Sequence, residues 1–163
     1  MTATDIRTGV GFDAHRLEPG RRLVLGGVAI PYDCGLAGHS DGDALLHALC
    51  DALLGALARP DIGTNFPDTD PAFKDADSST LVREVMLAVD ELGFRVLNAS
   101  CVVVCDRPKL APHAHSIRDR IAGLLAIEPD RVGLSAKTCE GTQLAIPGES
   151  VAALVTVLLG RKE

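Results

Sequence analysis

The sequence predicts an α+β fold, a mixed β-sheet with helices packed on one face. Three observations carry this expectation. Apolar residues recur at helical spacing in three separate stretches. Val-rich runs without that spacing lie between and around them. The two kinds follow one another in the order β-β-α-α-β-α-β-β, which suits one sheet with a helical layer. At about 100–200 residues per domain, a chain of 163 residues fits a single domain over 1–163. No internal repeat, low-complexity tract or linker divides it.

Residues 6–15 and 22–30 read as strands, and Gly26-Gly27 inside the second predicts a bulge or a close backbone approach. Tyr32 to Gly42 is rich in Gly, Asp and Ser and reads as a loop. From Asp43 to Ala58, Leu45, Leu46, Leu49, Leu53, Ala56 and Leu57 fall on one arc, which predicts a helix. Ser40 with Asp43 three residues on resembles a capping box in which Asp replaces Glu. Residues 59–78 form a long loop that carries Asp61, Asp68, Asp70, Asp75 and Asp77 against a single lysine, Lys74, with Arg59 at its start. Loops of that length in compact domains are usually functional or mobile. A second helix spans 79–92, with Leu81, Val82, Val85, Met86, Val89 and Leu92 on one face and a stop at Gly93. A buried strand follows at 95–105, then a Pro-bounded loop. The next helix starts near Pro112, with Ile117, Ile121, Leu124 and Leu125 as its stripe. Val132, Leu134 and Ala136 alternate as a strand. The Val-rich segment 149–159 reads as a strand, although a helix fits nearly as well.

Composition narrows the function. The chain is 47% hydrophobic and 23% charged, with mean hydropathy +0.20, which excludes a disordered chain. No apolar stretch reaches the roughly 18 residues of a membrane span, and Met1 to Asp5 do not resemble a signal peptide. The expectation is a cytoplasmic protein without a membrane partner. Sixteen Lys and Arg against 22 Asp and Glu leave a net charge of −6, which argues against nucleic acid as a partner. Only 3% of residues are aromatic, so stacking platforms for single strands are also scarce. An acidic chain can still bind a phosphorylated ligand if metal ions or backbone N–H groups supply local positive potential. The cysteines, Cys34, Cys50, Cys101, Cys105 and Cys139, are odd in number and lack zinc-type spacing, which fits a reducing compartment.

Several polar groupings carry candidate chemistry. Asp13 and His15 stand at i and i+2 near a strand end, so they project from one face; an isolated pair of this kind also fits a plain surface ion pair. Asp43, His47 and Asp51 form a stripe at i, i+4 and i+8 on the first helix, without Lys or Arg. Charged helix faces are common, yet stacked acids without a cation are mildly destabilising, which favours a metal. His47 with Asp13 and His15 makes a two-histidine, one-carboxylate set suited to zinc with an open position. Asp51 is then a candidate to hold the other ring nitrogen of His47. His39 and Ser40, just before that helix, offer an anion site together with helix N-terminal N–H groups, or simply a capped helix start. Asp61-Ile62-Gly63 and Phe66-Pro67-Asp68-Thr69-Asp70 suit polyol hydroxyls or a second metal, and equally an ordinary turn.

Gly11-Phe12-Asp13-Ala14-His15-Arg16, then Ala37-Gly38-His39-Ser40-Asp41-Gly42-Asp43-Ala44-Leu45-Leu46-His47-Ala48-Leu49, then Asp61-Ile62-Gly63 and Phe66-Pro67-Asp68-Thr69-Asp70-Pro71 resemble the 2-C-methyl-D-erythritol 2,4-cyclodiphosphate synthase family of the non-mevalonate isoprenoid pathway. The likeness runs over nearly the whole chain, and the motifs stand in the family's order and separations. It implies that Asp13, His15 and His47 hold a divalent metal, usually zinc. His39 and Ser40 match the pair at the substrate's 2-phosphate, and His39 and Thr138 match the transition-state-stabilising positions. Asp61, Gly63, Phe66, Asp68 and Asp70 match residues around the methylerythritol and diphosphate. Arg107 and Lys109, in the stretch Cys105 to Ala111, match a loop that cradles the cytidine. Glu140 matches a carboxylate for a second metal, magnesium or manganese.

The implied reaction is an intramolecular cyclisation of a small-molecule cytidine diphosphate substrate with loss of CMP. The implied assembly is a homotrimer with sheets facing inward and active sites between subunits. The chain departs from the family after Ala136: Lys137 stands for a Thr, Leu144 for a Phe and Pro147 for an Arg. Lys137 would add positive charge near the phosphates, and Leu144 keeps a place at the substrate. The loss of the Arg at 147 argues against prenyl diphosphates in a central cavity. Two other readings remain on residues alone: a different metal-dependent phosphohydrolase or phosphotransferase, and a metal- and nucleotide-binding oligomer without catalysis.

Overall fold

Gly9 and Gly11 set the spacing between the two layers of the molecule. They lie on the first strand, β1 (Ile6–Pro19), against the first helix, α1 (Ala44–Ala56). A Cβ at Gly9 would sit 1.9 Å from the carbonyl oxygen of Ala52, and one at Gly11 would sit 2.0 Å from that of Ala48. Helix backbone therefore rests on strand backbone, an approach that needs residues without a side chain. This computed structural model describes residues 5–67, 69, 76–140 and 149–162. Asp68, Asp70, Leu144 and Pro147 lie outside the described residues.

A hairpin of β2 (Leu23–Leu25) and β3 (Val28–Ile30) stands apart from a five-stranded sheet of order β4-β1-β7-β5-β6. The remaining strands are β4 (Cys34–Leu36), β5 (Phe94–Val104), β6 (Val132–Lys137) and β7 (Ser150–Arg161). Among the described residues only β5 and β6 pair in parallel, so the sheet is mixed, as the sequence implies. The expected strand at 149–159 is found as β7, Ser150–Arg161, and it is the central one. Segment 22–30 does not form one interrupted strand. Gly26 and Gly27 both adopt positive φ, 61° and 72°, and make a two-residue hairpin turn that reverses the chain. The irregularity in the main sheet falls instead between Val96 and Asn98. The Tyr32–Gly42 loop contains β4, three residues that pair with the end of β1.

α1, α3 (Ser78–Glu91) and α4 (Ala114–Leu125) cover one face of the sheet. Beneath them lie Val151, Ala153, Val155, Val157 and Leu159 of β7, with Cys101 and Val103 of β5, all buried. The opposite face is open. Cross-strand register lines up Phe12, Leu154 and Val102 there, with Val10, Thr156 and Ser100 in the next row. Phe12 and Val10 are 62% and 61% exposed, unusual for an apolar row on a monomer's surface. The cysteines are free thiols; burial pushes that of Cys101 up to about 12. No helix among the described residues is long and apolar enough to cross a membrane.

The start of α1 differs from expectation. Asp43 is the N-cap, and Ser40 is not. Oδ1 of Asp43 accepts from the N–H groups of Gly26, Leu45 and Leu46 at 3.0–3.1 Å, and Oδ2 accepts from Gly27 at 2.7 Å. This fully buried carboxylate ties the hairpin turn to the helix. The N–H groups expected to face an anion are thus already occupied. In the long acidic loop, a single turn, α2 (Ile62–Asn65), is capped by Asp61, and Asp77 caps α3.

Two substitutions test this framework. Gly11→Ala forces a Cβ against immovable helix backbone and should cost about 3 kcal/mol or more, read as a lower urea midpoint. Asp43→Ala strands four N–H groups, and loss of even part of them costs about 1–3 kcal/mol per buried donor; a midpoint equal to the parent's would contradict the capping role.

Candidate metal centre

β1 continues past its glycines with the same alternation, so Asp13 and His15 face α1 just where the helix begins. His47 sits on the first turn of α1 and closes the group. Asp13 Oδ2 lies 2.8 Å from His15 Nε2 and 3.0 Å from His47 Nδ1, and the two ring nitrogens are 3.2 Å apart. Among the described residues this is the cluster of His, Cys, Asp and Glu able to hold a metal ion. Donors about 2.0–2.1 Å from a tetrahedral ion stand roughly 3.3 Å from each other. The set needs to open by only a few tenths of an ångström, so the residues fit a divalent ion.

The charges support the same assignment. Burial by itself would raise the Asp13 pKa, but hydrogen bonds from His15 and His47 outweigh it and hold the carboxyl well below the usual range. The hydrogen bond to Asp13 raises the pKa of His15. An anionic carboxylate thus gathers positive hydrogen around itself, the demand that a cation would meet.

The group opens into a cleft of about 260 Å³ that also includes His39, Ser40, Asp51, Gly63 and Phe66. A larger cavity of about 490 Å³, around Phe94, Arg95 and Leu125, lies at the far end of the sheet and holds no such ligand cluster among the described residues. Within the cleft, His39 Nε2 is buried with no hydrogen-bond partner. Ser40 Oγ is 3.0 Å from His47 Nε2. Asp61 does not line this cleft; its carboxylate accepts from the Thr64 N–H at 2.9 Å.

Asp51 corrects one expectation. Its carboxylate accepts from the Ile62 N–H at 2.7 Å and so braces α2. The nitrogen of His47 left over from the ligand set, Nε2, faces Ser40 and Ser78, each hydroxyl at 3.0 Å. Asp43 also leaves the expected helix stripe, because it is consumed as the cap. Sequence reasoning missed Ser78. A serine at a helix start reads as local capping, and its separation from His47 gives no hint of contact.

Arg107, Lys109, Lys137, Thr138 and Glu140 do not line the metal cleft. The Cys105 N–H donates to the Lys137 carbonyl at 2.8 Å, and the Cys139 N–H to Asp106 Oδ1 at 2.9 Å, so these two segments form one unit. The Thr138 hydroxyl donates to Glu140 Oε1. Register places Ala14, Ala152, Val104 and Lys137 in one row across four strands. At about 4.8 Å per strand, Lys137 is roughly 14 Å from the edge of the metal group.

The YgbB family model matches residues 6–160. The 2-C-methyl-D-erythritol 2,4-cyclodiphosphate synthase of Moorella thermoacetica is 51% identical over 158 residues, 97% of each chain. That of Geobacter sulfurreducens is 50% identical over 96% of this chain and 100% of its own. A solved synthase in a CDP-bound form superposes with a TM-score of 0.87 at 47% identity, covering 94% of this chain and 99% of that one.

His47→Ala should remove roughly one bound zinc per chain, since two remaining ligands make a poor site. Metal analysis after dialysis checks this, and unchanged metal content would refute the ligand set.

Proposed function

Because the chain belongs to the YgbB family, that of the 2-C-methyl-D-erythritol 2,4-cyclodiphosphate synthases, we infer that it cyclises 4-diphosphocytidyl-2-C-methyl-D-erythritol 2-phosphate at this cleft. An oxygen of the 2-phosphate attacks the β-phosphorus, and the bond from that phosphorus to the CMP oxygen breaks. CMP leaves with the electron pair, and the cyclic diphosphate remains. One observation carries this reading: two imidazoles and a carboxylate within 3.2 Å of each other in a chain half identical to known synthases.

The reaction requires no protein nucleophile. The difficulty is that two anionic groups of one molecule must meet. Asp13, His15 and His47 would hold a dication, zinc by the preference of this donor set, which would supply positive charge to the phosphate oxygens. A second one, magnesium or manganese at Glu140, would do the same for the diphosphate. His39 offers its unpartnered Nε2 to the 2-phosphate, and Ser40 offers its hydroxyl. Gly63 leaves room beside Phe66 for the methylerythritol carbons, with Asp61 at that edge and Asp68 and Asp70 as further candidates. Arg107 and Lys109 bind the cytidine diphosphate end, and Lys137 adds a cation where the family has none. Thr138 would turn its hydroxyl from Glu140 to the charge that builds on the transferring phosphorus, and Leu144 is a further candidate at the substrate. Holding both ends of one molecule supplies most of the remaining rate enhancement.

The cations and the metal ligands belong to one site only if they come from different subunits. Roughly 14 Å separates them within a chain, by strand spacing. A homotrimer with the open sheet faces turned inward meets this need and covers Ile6, Val10, Phe12 and Leu154. A single domain over 1–163 and a reducing cytoplasm complete the reading, the latter suited to free thiols.

Incubation with the cytidine diphosphate substrate and phosphorus NMR should show cyclic diphosphate and CMP in equal amounts; linear phosphate release would overturn the cyclase reading. His39→Ala should lower kcat about 10²–10³-fold, the usual cost of one anion-stabilising donor. Phe12→Asp should reduce the mass in sedimentation to one 17.1 kDa chain and abolish turnover.

A further inference from the structure

His47 has one nitrogen in the metal group and the other in a buried polar relay. His47 Nε2 is 3.0 Å from Ser78 Oγ. The Ser78 hydroxyl in turn donates to Asp41 Oδ1, and the Ser78 N–H donates to Asp41 Oδ2 at 3.1 Å. Asp41 is itself held, because its Oδ1 also accepts the Asp43 N–H at 3.1 Å. Ser78 is fully buried, so water does not compete for these bonds.

A carboxylate offers only lone pairs, and a serine hydroxyl has one hydrogen. That hydrogen is committed to Asp41, so Ser78 Oγ presents only lone pairs to His47. An unprotonated Nε2 would then face those lone pairs at 3.0 Å with no hydrogen between them. Ser40 Oγ, also 3.0 Å from Nε2, accepts the Gly42 N–H at 3.3 Å and keeps its own hydrogen, so it can pair with Nε2 as donor or acceptor. We propose that Asp41 and Ser78 are positioning residues for metal binding: through the Ser78 hydroxyl they hold the ring of His47 in the rotation that keeps Nδ1 between Asp13 and His15. Neither residue touches the metal group, and both act through the ring of His47.

Ser78 begins α3, Asp41 lies in the loop before α1, and His47 is on α1, so three separately anchored segments converge on one imidazole. This places the metal position under the control of the α3 N-terminus, which no ligand spacing in the sequence reveals.

The inference rests on the metal assignment above, and the test separates the two. Zinc affinity is measured by competition with a chromophoric chelator for the parent chain, Ser78→Ala, Ser78→Thr and Asp41→Asn. Ser78→Ala and Asp41→Asn should bind zinc about 10–100-fold more weakly, the usual effect of losing an outer partner of a ligating histidine. Ser78→Thr keeps the hydroxyl and should stay within about threefold of the parent. Zinc affinity in Ser78→Ala equal to the parent's overturns the relay. A parent chain that binds no zinc defeats the metal assignment instead. Zinc affinity in Asp41→Asn equal to the parent's overturns the role of Asp41 in the same way.

Discussion

Contact between the backbone of α1 and the backbone of β1 is the constraint on which the rest depends. Gly9, Gly11, Asp13 and His15 share one face of the strand because side chains alternate. The first two carry nothing, and the helix settles onto them. The next two carry ligands, and the helix start brings His47 to meet them. An alanine at either glycine position would lift α1 from the strand, and His47 would move with it. The metal set therefore does not arise from ligand spacing alone; it follows from the absence of side chains a few residues earlier. Ala48 and Ala52 complete the arrangement from the helix side, both fully buried.

The segment from His39 to Asp43 shows how closely packed duties can be in a short loop. His39 keeps a buried, unpartnered nitrogen beside the cleft. Ser40 touches His47, Asp41 holds Ser78, and Asp43 satisfies four N–H groups. Between the two acids, Gly42 adopts φ 73°, and a Cβ there would lie 2.6 Å from the Leu36 carbonyl oxygen. The glycine allows the chain to turn so that neighbouring carboxylates point into different parts of the molecule. Asp41 goes to α3 and Asp43 to the hairpin. Without that divergence the two like charges would compete for one environment.

Much of this architecture is legible in the sequence. Leu45, Leu46, Leu49 and Leu53 reveal α1 because their period of 3.6 residues persists over several turns. Asp13, His15 and His47 are legible as ligands because strand and helix periodicity each bring them to a common face. Short elements are not legible in this way. β4 has three residues, too few for alternation to register, and the β2–β3 turn looks like an interruption because Gly-Gly is compatible with a bulge as well as a reversal. Asp51 falls on the expected stripe, yet its carboxylate is taken by the Ile62 N–H, a partner from a loop whose path no local pattern sets. Ser78 is invisible for the same reason: tertiary contacts between distant segments have no period.

Charge separation within the chain is the physical ground for proposing a site shared between subunits. The metal group is surrounded by carboxylates, with Asp13 and Asp51 in the cleft and Asp61 close to it. Arg107, Lys109 and Lys137 lie beyond two further strands. A substrate with a phosphate at one end and a cytidine diphosphate at the other carries negative charge along its length, so neither half alone neutralises it. The proposed trimer solves two problems with one surface. It covers the apolar row of Val10, Phe12 and Leu154, which is costly to leave in water. It would also carry the cationic loop of one subunit to the metal cleft of the next. Binding and assembly would then share a single driving force, since the hydrophobic face that joins the subunits also completes the site.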